Sequence, residues 1–92
     1  MYRPFLSRSM VVTDPGKRIM IWYMVEREDE ISVTIYDIQK QLVAVLFNGK
    51  KEAGSHCEEW NISEEFYTGM KKGVFFYNIQ NSVSNEKGVI VL

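Results

Sequence analysis

Apolar residues recur at every second position along this chain, and this period limits the folds that it can adopt. Residues 31–37, ISVTIYD, place Ile31, Val33 and Ile35 on one face of an extended chain, with Ser32 and Thr34 on the other. The spacing is two residues and not the 3.6 of a helix. The stretch therefore predicts a β-strand with one buried face.

Similar short runs, rich in β-branched and aromatic residues, recur along the rest of the chain. They are separated by turn residues at intervals of roughly 8–12 residues. The pattern is typical of an all-β antiparallel sandwich of about seven strands. We predict strands at residues 9–13, 18–25, 31–37, 42–47, 55–61, 73–80 and 88–92.

Turn chemistry marks the ends of these strands. Residues 39–41 and 48–49 and Gly54 are of types that favour turns, and residues 81–87 predict a hairpin turn. Residues 62–72 are predicted to form a loop with one helical turn.

The length and composition predict one globular domain over residues 1–92. The chain is 46% apolar and 25% charged, with a formal net charge of -1. Proteins that bind nucleic acid usually carry a concentrated basic excess, so we expect no nucleic-acid partner. We predict that charged pairs such as Lys50-Lys51 and Glu58-Glu59 lie in solvated turns and loops.

The sequence has no apolar run long enough for a transmembrane helix, so no membrane span is expected. Residues 1–10, MYRPFLSRSM, lack the apolar centre of a signal peptide. Cys57 is the one cysteine, so no disulfide within the chain is predicted.

The residues that could carry catalysis are few. His56 is the one histidine and it is adjacent to Cys57, so in a strand the two side chains point to opposite faces. A nucleophile and its base need to be within hydrogen-bond reach, which adjacent strand positions do not give. One histidine and one cysteine are also too few for a zinc site. Phosphate-binding glycine loops are absent as well. We expect no enzyme activity, cofactor or metal.

Glu58 is unusual because it shares a strand face with Trp60 and His56. A carboxylate on an inward face is costly unless it is paired. We expect Glu58 to lie partly exposed near the end of the sheet, or to pair with His56. Trp60 is interpreted as a core residue, with stacking on a sugar as the alternative.

Three aromatic residues in the stretch GVFFYNIQ, residues 73–80, pose a similar choice. Strand alternation predicts that Phe75, Tyr77 and Ile79 face the core and that Phe76 faces outward beside a neighbouring strand. Phe76 then contributes either to cross-strand packing or to an exposed aromatic surface that binds a ligand.

Several stretches, taken in order, are similar to the C-terminal sorting domain of type IX secretion cargo. The same pattern is shared with the immunoglobulin-like domain of the flagellar hook-capping protein. Matching positions are Pro4-Phe5, Ile21 to Val25, Val33 to Tyr36 and Asp37, Leu42 to Leu46, Gly54 to His56 and Trp60, Gly73 with Phe75 and Tyr77, and Lys87 to Leu92.

The chain also departs from that pattern at several positions. Arg3 replaces the asparagine that usually precedes Pro-Phe, Lys40 stands where a turn glycine is usual, and Glu58 replaces an apolar residue.

The resemblance implies an immunoglobulin-like sandwich without catalysis that forms the C-terminal part of a larger protein. Its partners would be the upstream cargo domain and the outer-membrane secretion machinery, and its location the cell surface or the medium, reached through the periplasm. The export-recognition candidates are the last predicted strand, namely Lys87, Gly88, Val89, Ile90, Val91 and Leu92.

Two other functions remain open at this point. One is a structural accessory domain of a surface or hook-cap protein. The other is a small carbohydrate-binding module that uses Trp22, Trp60 or Phe76. An edge strand in a sandwich of this size can also pair between copies of the chain, so a homodimer is a further expectation.

Overall fold

A computed structural model describes residues 9–13, 18–61 and 73–91 of the chain, and every regular element in these ranges is a β-strand. The strands are β1 (Ser9–Thr13), β2 (Arg18–Val25), β3 (Asp29–Tyr36), β4 (Leu42–Lys51), β5 (Gly54–Asn61), β6 (Val74–Gln80) and β7 (Asn85–Val91).

The strands form two antiparallel sheets. One sheet has the order β1-β2-β5 and the other has the order β4-β3-β6-β7. Neighbouring strands in both sheets run antiparallel. The predicted all-β fold with antiparallel pairing is therefore confirmed for the described residues.

The core lies between the two sheets and is built from alternate residues of the central strands. In β3 the predicted inward residues Ile31, Val33 and Ile35 are all buried, as the period of two requires. The predicted core positions in β5 and β6 are buried too. The buried apolar residues are Ile19, Ile21, Tyr23, Val25, Ile31, Val33, Ile35, Trp60, Phe75, Tyr77, Ile79 and Ile90.

The fourth strand is longer than the sequence pattern predicts, and the assignment of residues 48–49 to a turn was wrong. Asn48 pairs with Ser32 and Gly49 pairs with Ile31 in the ladder between β3 and β4. The ladder continues to Asp29, so β3 also begins before its predicted start at Ile31. Pairing with a long partner strand here outweighs the local turn preference of Asn-Gly.

The chain turns instead around Gly54, which the sequence marked as a turn residue. Gly54 has a φ of 132°, a region that residues with a side chain rarely adopt.

The hairpin turn between β6 and β7 is shorter than predicted, because β7 already begins at Asn85. The carboxamide oxygen of Asn81 accepts hydrogen bonds from the backbone N–H groups of Val83 at 2.8 Å and Ser84 at 2.6 Å. The backbone N–H of Asn81 donates to the carbonyl oxygen of Ser84 at 2.9 Å. These bonds close the turn and explain why a polar residue is buried there.

Some predicted features lie outside the described residues. These are the Pro4-Phe5 motif, the loop at residues 62–72 and the last residue, Leu92.

Candidate functional site

The last described strand, β7, is an edge of the four-stranded sheet. The structure divides the predicted export-recognition residues into two groups. Val89 and Val91 are 53% and 68% exposed, whereas Ile90 is buried in the core. Lys87 is exposed as well. A partner could therefore reach alternate side chains of β7 without disturbing the core.

Gly88 has a structural role in the same strand. It is the ladder partner of Tyr77 in β6, and a methyl group added at Gly88 would overlap the ring of Tyr77. The absence of a side chain at Gly88 lets that ring lie across the strand.

The Tyr77 hydroxyl lies 2.6 Å from the Ser9 hydroxyl, and the Ser9 hydroxyl also donates a hydrogen bond to the Glu86 carboxylate. We call Ser9, Tyr77 and Glu86 the Ser9 cluster. Because Ser9 belongs to β1, this cluster links the two sheets on the side where β1 approaches β7.

The two edges of the four-stranded sheet differ in regularity. Pairing between β6 and β7 runs without interruption from Val74 to Gln80. Pairing between β3 and β4 shifts register at two points, Val33/Thr34 and Ile35/Tyr36. Such irregularities twist an edge and disfavour pairing with a further strand. β7 is therefore the more regular edge of this sheet.

The outer face of the four-stranded sheet carries a half-open groove of about 420 Å³, which we call the Tyr36 groove. Phe76 pairs with Tyr36 on one side and with Val89 of β7 on the other, so the groove lies next to the exposed edge strand. Phe76 faces outward, as predicted. The described lining residues are Tyr36, Lys40, Phe76, Tyr77, Asn78, Asn85 and Lys87.

A tight turn after β3 places Lys40 at the groove. The Asp37 carboxylate accepts hydrogen bonds from the backbone N–H groups of Gln39 at 2.8 Å and Gln41 at 2.9 Å. Lys40 has a φ of 68°, which is the left-handed region that favours glycine. Asp37 thus caps this turn, and Lys40 holds a backbone conformation in it that glycine would adopt more easily.

Where β4 approaches β5, Glu58 joins β5 to two other strands. Its carboxylate accepts a hydrogen bond from the Tyr23 hydroxyl at 2.8 Å and lies 3.2 Å from the Lys51 ammonium group. The Lys51 ammonium also lies 4.1 Å from the centre of the Phe47 ring. We call Tyr23, Lys51 and Glu58 the Glu58 cluster.

The Glu58 cluster corrects two predictions. His56 is not the partner of Glu58, because its Nε2 lies 2.6 Å from the carbonyl oxygen of Glu52. Lys51 and Glu58 are not in solvated turns, because they lie in β4 and β5 and their side chains are only 21% and 11% exposed. Burial, followed by the hydrogen bond to Glu58, raises the pKa of Tyr23, so this phenol stays protonated and donates.

His56 and Cys57 lie next to different partners, as expected of adjacent strand residues. His56 pairs with Tyr23 and contacts its ring, whereas Cys57 pairs with the exposed Trp22. Burial, and then the charges of Glu58 and Glu59, raise the pKa of the Cys57 thiol. Reactive cysteines require a lowered pKa, so the surroundings of Cys57 do not activate it.

Among residues 9–13, 18–61 and 73–91, no group of three histidine, cysteine, aspartate or glutamate side chains is placed to hold a metal ion. Nor does this part of the chain contain a helix that could cross a membrane.

The two tryptophans differ in accessibility. Trp60 is 6% exposed and packs edge-on against Phe75 at 5.3 Å between ring centres, so its interpretation as a core residue is confirmed. Trp22 is 43% exposed on the other sheet. Of the three aromatic residues considered for carbohydrate binding, only Phe76 lines the groove.

Comparison with protein-family models and with curated proteins finds no match for this chain.

Sequence reasoning located Tyr36, Phe76 and Lys87 but did not bring them together as one surface. The strand order and the register that join them are not visible in the alternation pattern. The Ser9 cluster was missed for the same reason, because Tyr77 and Glu86 lie 68 and 77 positions after Ser9 in the sequence. The predicted outward position of Phe76 was the signal in the sequence that pointed towards the groove.

Proposed function

We propose that this chain is a non-catalytic sorting module of the type IX secretion kind, read by the outer-membrane secretion machinery through strand β7. The observation that carries the proposal is the exposed, regular edge formed by β7, with Val89 and Val91 facing solvent. The ordered motifs that resemble type IX sorting domains are the reason for proposing the secretion machinery as the partner that binds β7.

The strand order supports an immunoglobulin-like connectivity. The first, second and fifth strands share one sheet, and the third, sixth and seventh share the other. Constant-type immunoglobulin domains have this division, except that their fourth strand lies in the sheet of the first. Here β4 pairs with β3 instead.

An edge strand can be read in two ways at once. Its free backbone groups offer hydrogen bonds to an added strand, and its alternate side chains offer specificity. In β7 these side chains are Lys87, Val89 and Val91. Natural proteins usually protect an edge with charge or with a bulge. β7 has one lysine followed by two exposed valines, which suits it to receive a partner.

The inward residues of β7 have a separate role. Ile90 fills the core and Gly88 accommodates the ring of Tyr77. Removing residues 87–92 would therefore disturb the fold as well as the edge. A test of recognition needs substitutions on the exposed side of β7.

The experiment fuses this chain to a fluorescent reporter that has an ordinary signal peptide, in a bacterium with type IX secretion. We expect reporter outside the cells with the intact chain, and retention in the periplasm with Val89→Lys. Retention of the intact, folded fusion would instead favour the structural accessory domain.

A further inference from the structure

We propose that the Tyr36 groove binds an acidic saccharide, that is, a carboxylate-bearing pyranose unit of a glycan. The groove shares Asn85 and Lys87 with β7, but the proposal does not depend on the export function. The groove volume of about 420 Å³ lies in the range of small-ligand sites, which is roughly 300–1,000 Å³.

The floor of the groove is aromatic. Tyr36 and Phe76 are direct ladder partners on the outer face of β3 and β6, so their side chains are neighbours. Both are partly exposed. Aromatic rings present an apolar face and, in tyrosine, a polar tip. The C–H face of a pyranose ring can pack on such a surface while its hydroxyl groups reach the rim.

The carboxamides beside this floor match a pair of neighbouring hydroxyl groups. The Asn85 side-chain amide donates a hydrogen bond to the Asn78 carboxamide oxygen at 3.0 Å. This bond orients both groups and leaves the Asn78 amide free to donate and the Asn85 oxygen free to accept, as far as the described residues show. A hydroxyl group both donates and accepts, so adjacent hydroxyls can satisfy the two carboxamides.

The charge of the groove indicates an anion. Lys40 and Lys87 both line it, and none of the described lining residues is acidic. Neither lysine is in an ion pair within the described part of the chain. The nearby Asp37 carboxylate accepts two backbone hydrogen bonds in its own turn. A carboxylate on the ligand would therefore find two ammonium groups and no competing acidic side chain among the described lining residues.

Lys40 provides an independent indication. It occupies a left-handed backbone conformation that glycine would adopt without strain. Residues other than glycine in such a conformation are frequent at functional sites, which suggests a function for the Lys40 side chain. Here that side chain supplies one of the two positive charges of the groove.

The aromatic floor favours a saccharide over an acidic peptide, because the C–H face of a pyranose ring can pack on Tyr36 and Phe76 while its hydroxyl groups meet the two carboxamides. The same sugar chemistry occurs in soluble polysaccharides and in glycolipid headgroups. The test therefore includes one experiment for a soluble saccharide, one for a glycolipid headgroup, and an acidic peptide as the alternative ligand.

The test is an NMR titration of the ¹⁵N-labelled chain with tetragalacturonate, a neutral galactose tetramer and an oligoglutamate peptide as separate probes. We expect tetragalacturonate to shift the signals of Phe76, Asn78 and Asn85. The neutral probe should bind about tenfold more weakly, because it lacks the charged partner of the lysines. No shift with tetragalacturonate, or equal binding of oligoglutamate, would overturn the proposal.

Lys40→Gly separates binding from folding, because it removes the charge and relieves the strained backbone. We expect it to fold at least as stably as the original chain and to bind tetragalacturonate about tenfold more weakly. Lys50→Gln, at an exposed lysine outside the groove, should leave binding unchanged. Equal loss of binding in both variants would contradict a specific site.

Sedimentation with phosphatidylcholine vesicles, with and without an acidic glycosphingolipid, distinguishes the two sources. Co-sedimentation with the glycolipid vesicles would support a membrane-borne headgroup. Binding of tetragalacturonate without co-sedimentation would support a free glycan.

Discussion

The aromatic ring of Tyr77 lies across the backbone of Gly88, its ladder partner in the neighbouring strand. From there the Tyr77 hydroxyl reaches Ser9 of β1 at 2.6 Å. A single side chain thus spans from β6 past the edge strand β7 to the other sheet. The conformation of the candidate recognition strand is therefore tied to the packing of the whole sandwich.

Gly88→Ala should destabilise the fold because the added methyl group overlaps the Tyr77 ring. The expected loss in the free energy of unfolding is about 2 kcal/mol, typical of overpacking. Urea denaturation measures it. Gly49→Ala is the matched control, since its methyl group would lie 3.4 Å from the nearest atom of Phe47. A loss for Gly88→Ala no larger than for the control would contradict this packing.

Lys51→Met should lower stability by about 2 kcal/mol. Among the described residues it leaves the largely buried Glu58 carboxylate with the Tyr23 hydroxyl as its one side-chain partner. The Glu58 side chain is 11% exposed. The matched control is Lys50→Met. Lys50 pairs with Glu28, and their side chains are 64% and 56% exposed.

Thermal unfolding of the two lysine variants measures whether the pair of Lys51 with Glu58 stabilises the fold more than the exposed pair of Lys50 with Glu28. We expect the control to change stability by less than about 0.5 kcal/mol, since exposed ion pairs contribute little. If Lys50→Met and Lys51→Met were equally stable, the Glu58 cluster would have no special role in joining the sheets.

Lys40→Gly should raise stability by about 0.5–1 kcal/mol. Relief of the left-handed conformation outweighs the greater freedom that glycine gives the unfolded chain. The comparison variant is Gln41→Gly, in the same turn but without a positive φ, and it should be destabilising. A decrease in the midpoint of chemical denaturation for Lys40→Gly would show that the lysine side chain stabilises the turn in another way.

Asp29 should make stability depend on pH in acid. Its carboxylate accepts a hydrogen bond from the Ser82 hydroxyl at 2.8 Å, and this bond is the main cause of its lowered pKa, opposed by partial desolvation. A lowered folded-state pKa contributes stability above the unfolded value of about 3.9, and that contribution is lost as the pH falls through the folded value.

Asp29→Asn tests this dependence. The original chain should melt above the variant near neutral pH, and the difference should shrink as the pH falls below about 4. Melting curves across the acid range measure it. A difference that stays constant with pH would mean that the charge of Asp29 does not matter.

The alternation pattern predicted where the strands lie and which faces of β3 and β6 are buried, but not the bounds of β3, β4 and β7. Ile31, Val33 and Ile35 show why, because burial on one face follows directly from a period of two. The alternation pattern could not predict which strands pair with each other. Asn48-Gly49 has the composition of a turn, yet it continues β4 because Ser32 and Ile31 of β3 lie opposite.

The same limit applies to the candidate site. Tyr36 and Phe76 were each singled out, but only the pairing of β3 with β6 makes them neighbours. Glu58 was identified as unusual on an inward face. Its partners Tyr23 and Lys51 come from two other strands. The local sequence therefore offered only His56, two positions away, as a candidate partner.

The central claim is that the secretion machinery reads the exposed side of β7, and a pair of double variants tests it most directly. Val89→Lys with Val91→Lys alters that side. Leu42→Lys with Val45→Lys alters β4, the opposite edge, where the two residues are 55% and 54% exposed. Both pairs replace exposed apolar residues and leave the core intact.

The measurement is the fraction of fluorescent reporter found outside cells that have type IX secretion, for fusions whose folding is first checked by their melting temperatures. The account predicts loss of export for the β7 pair and normal export for the β4 pair. Normal export of a folded fusion with the altered β7, or equal loss with both pairs, would contradict it.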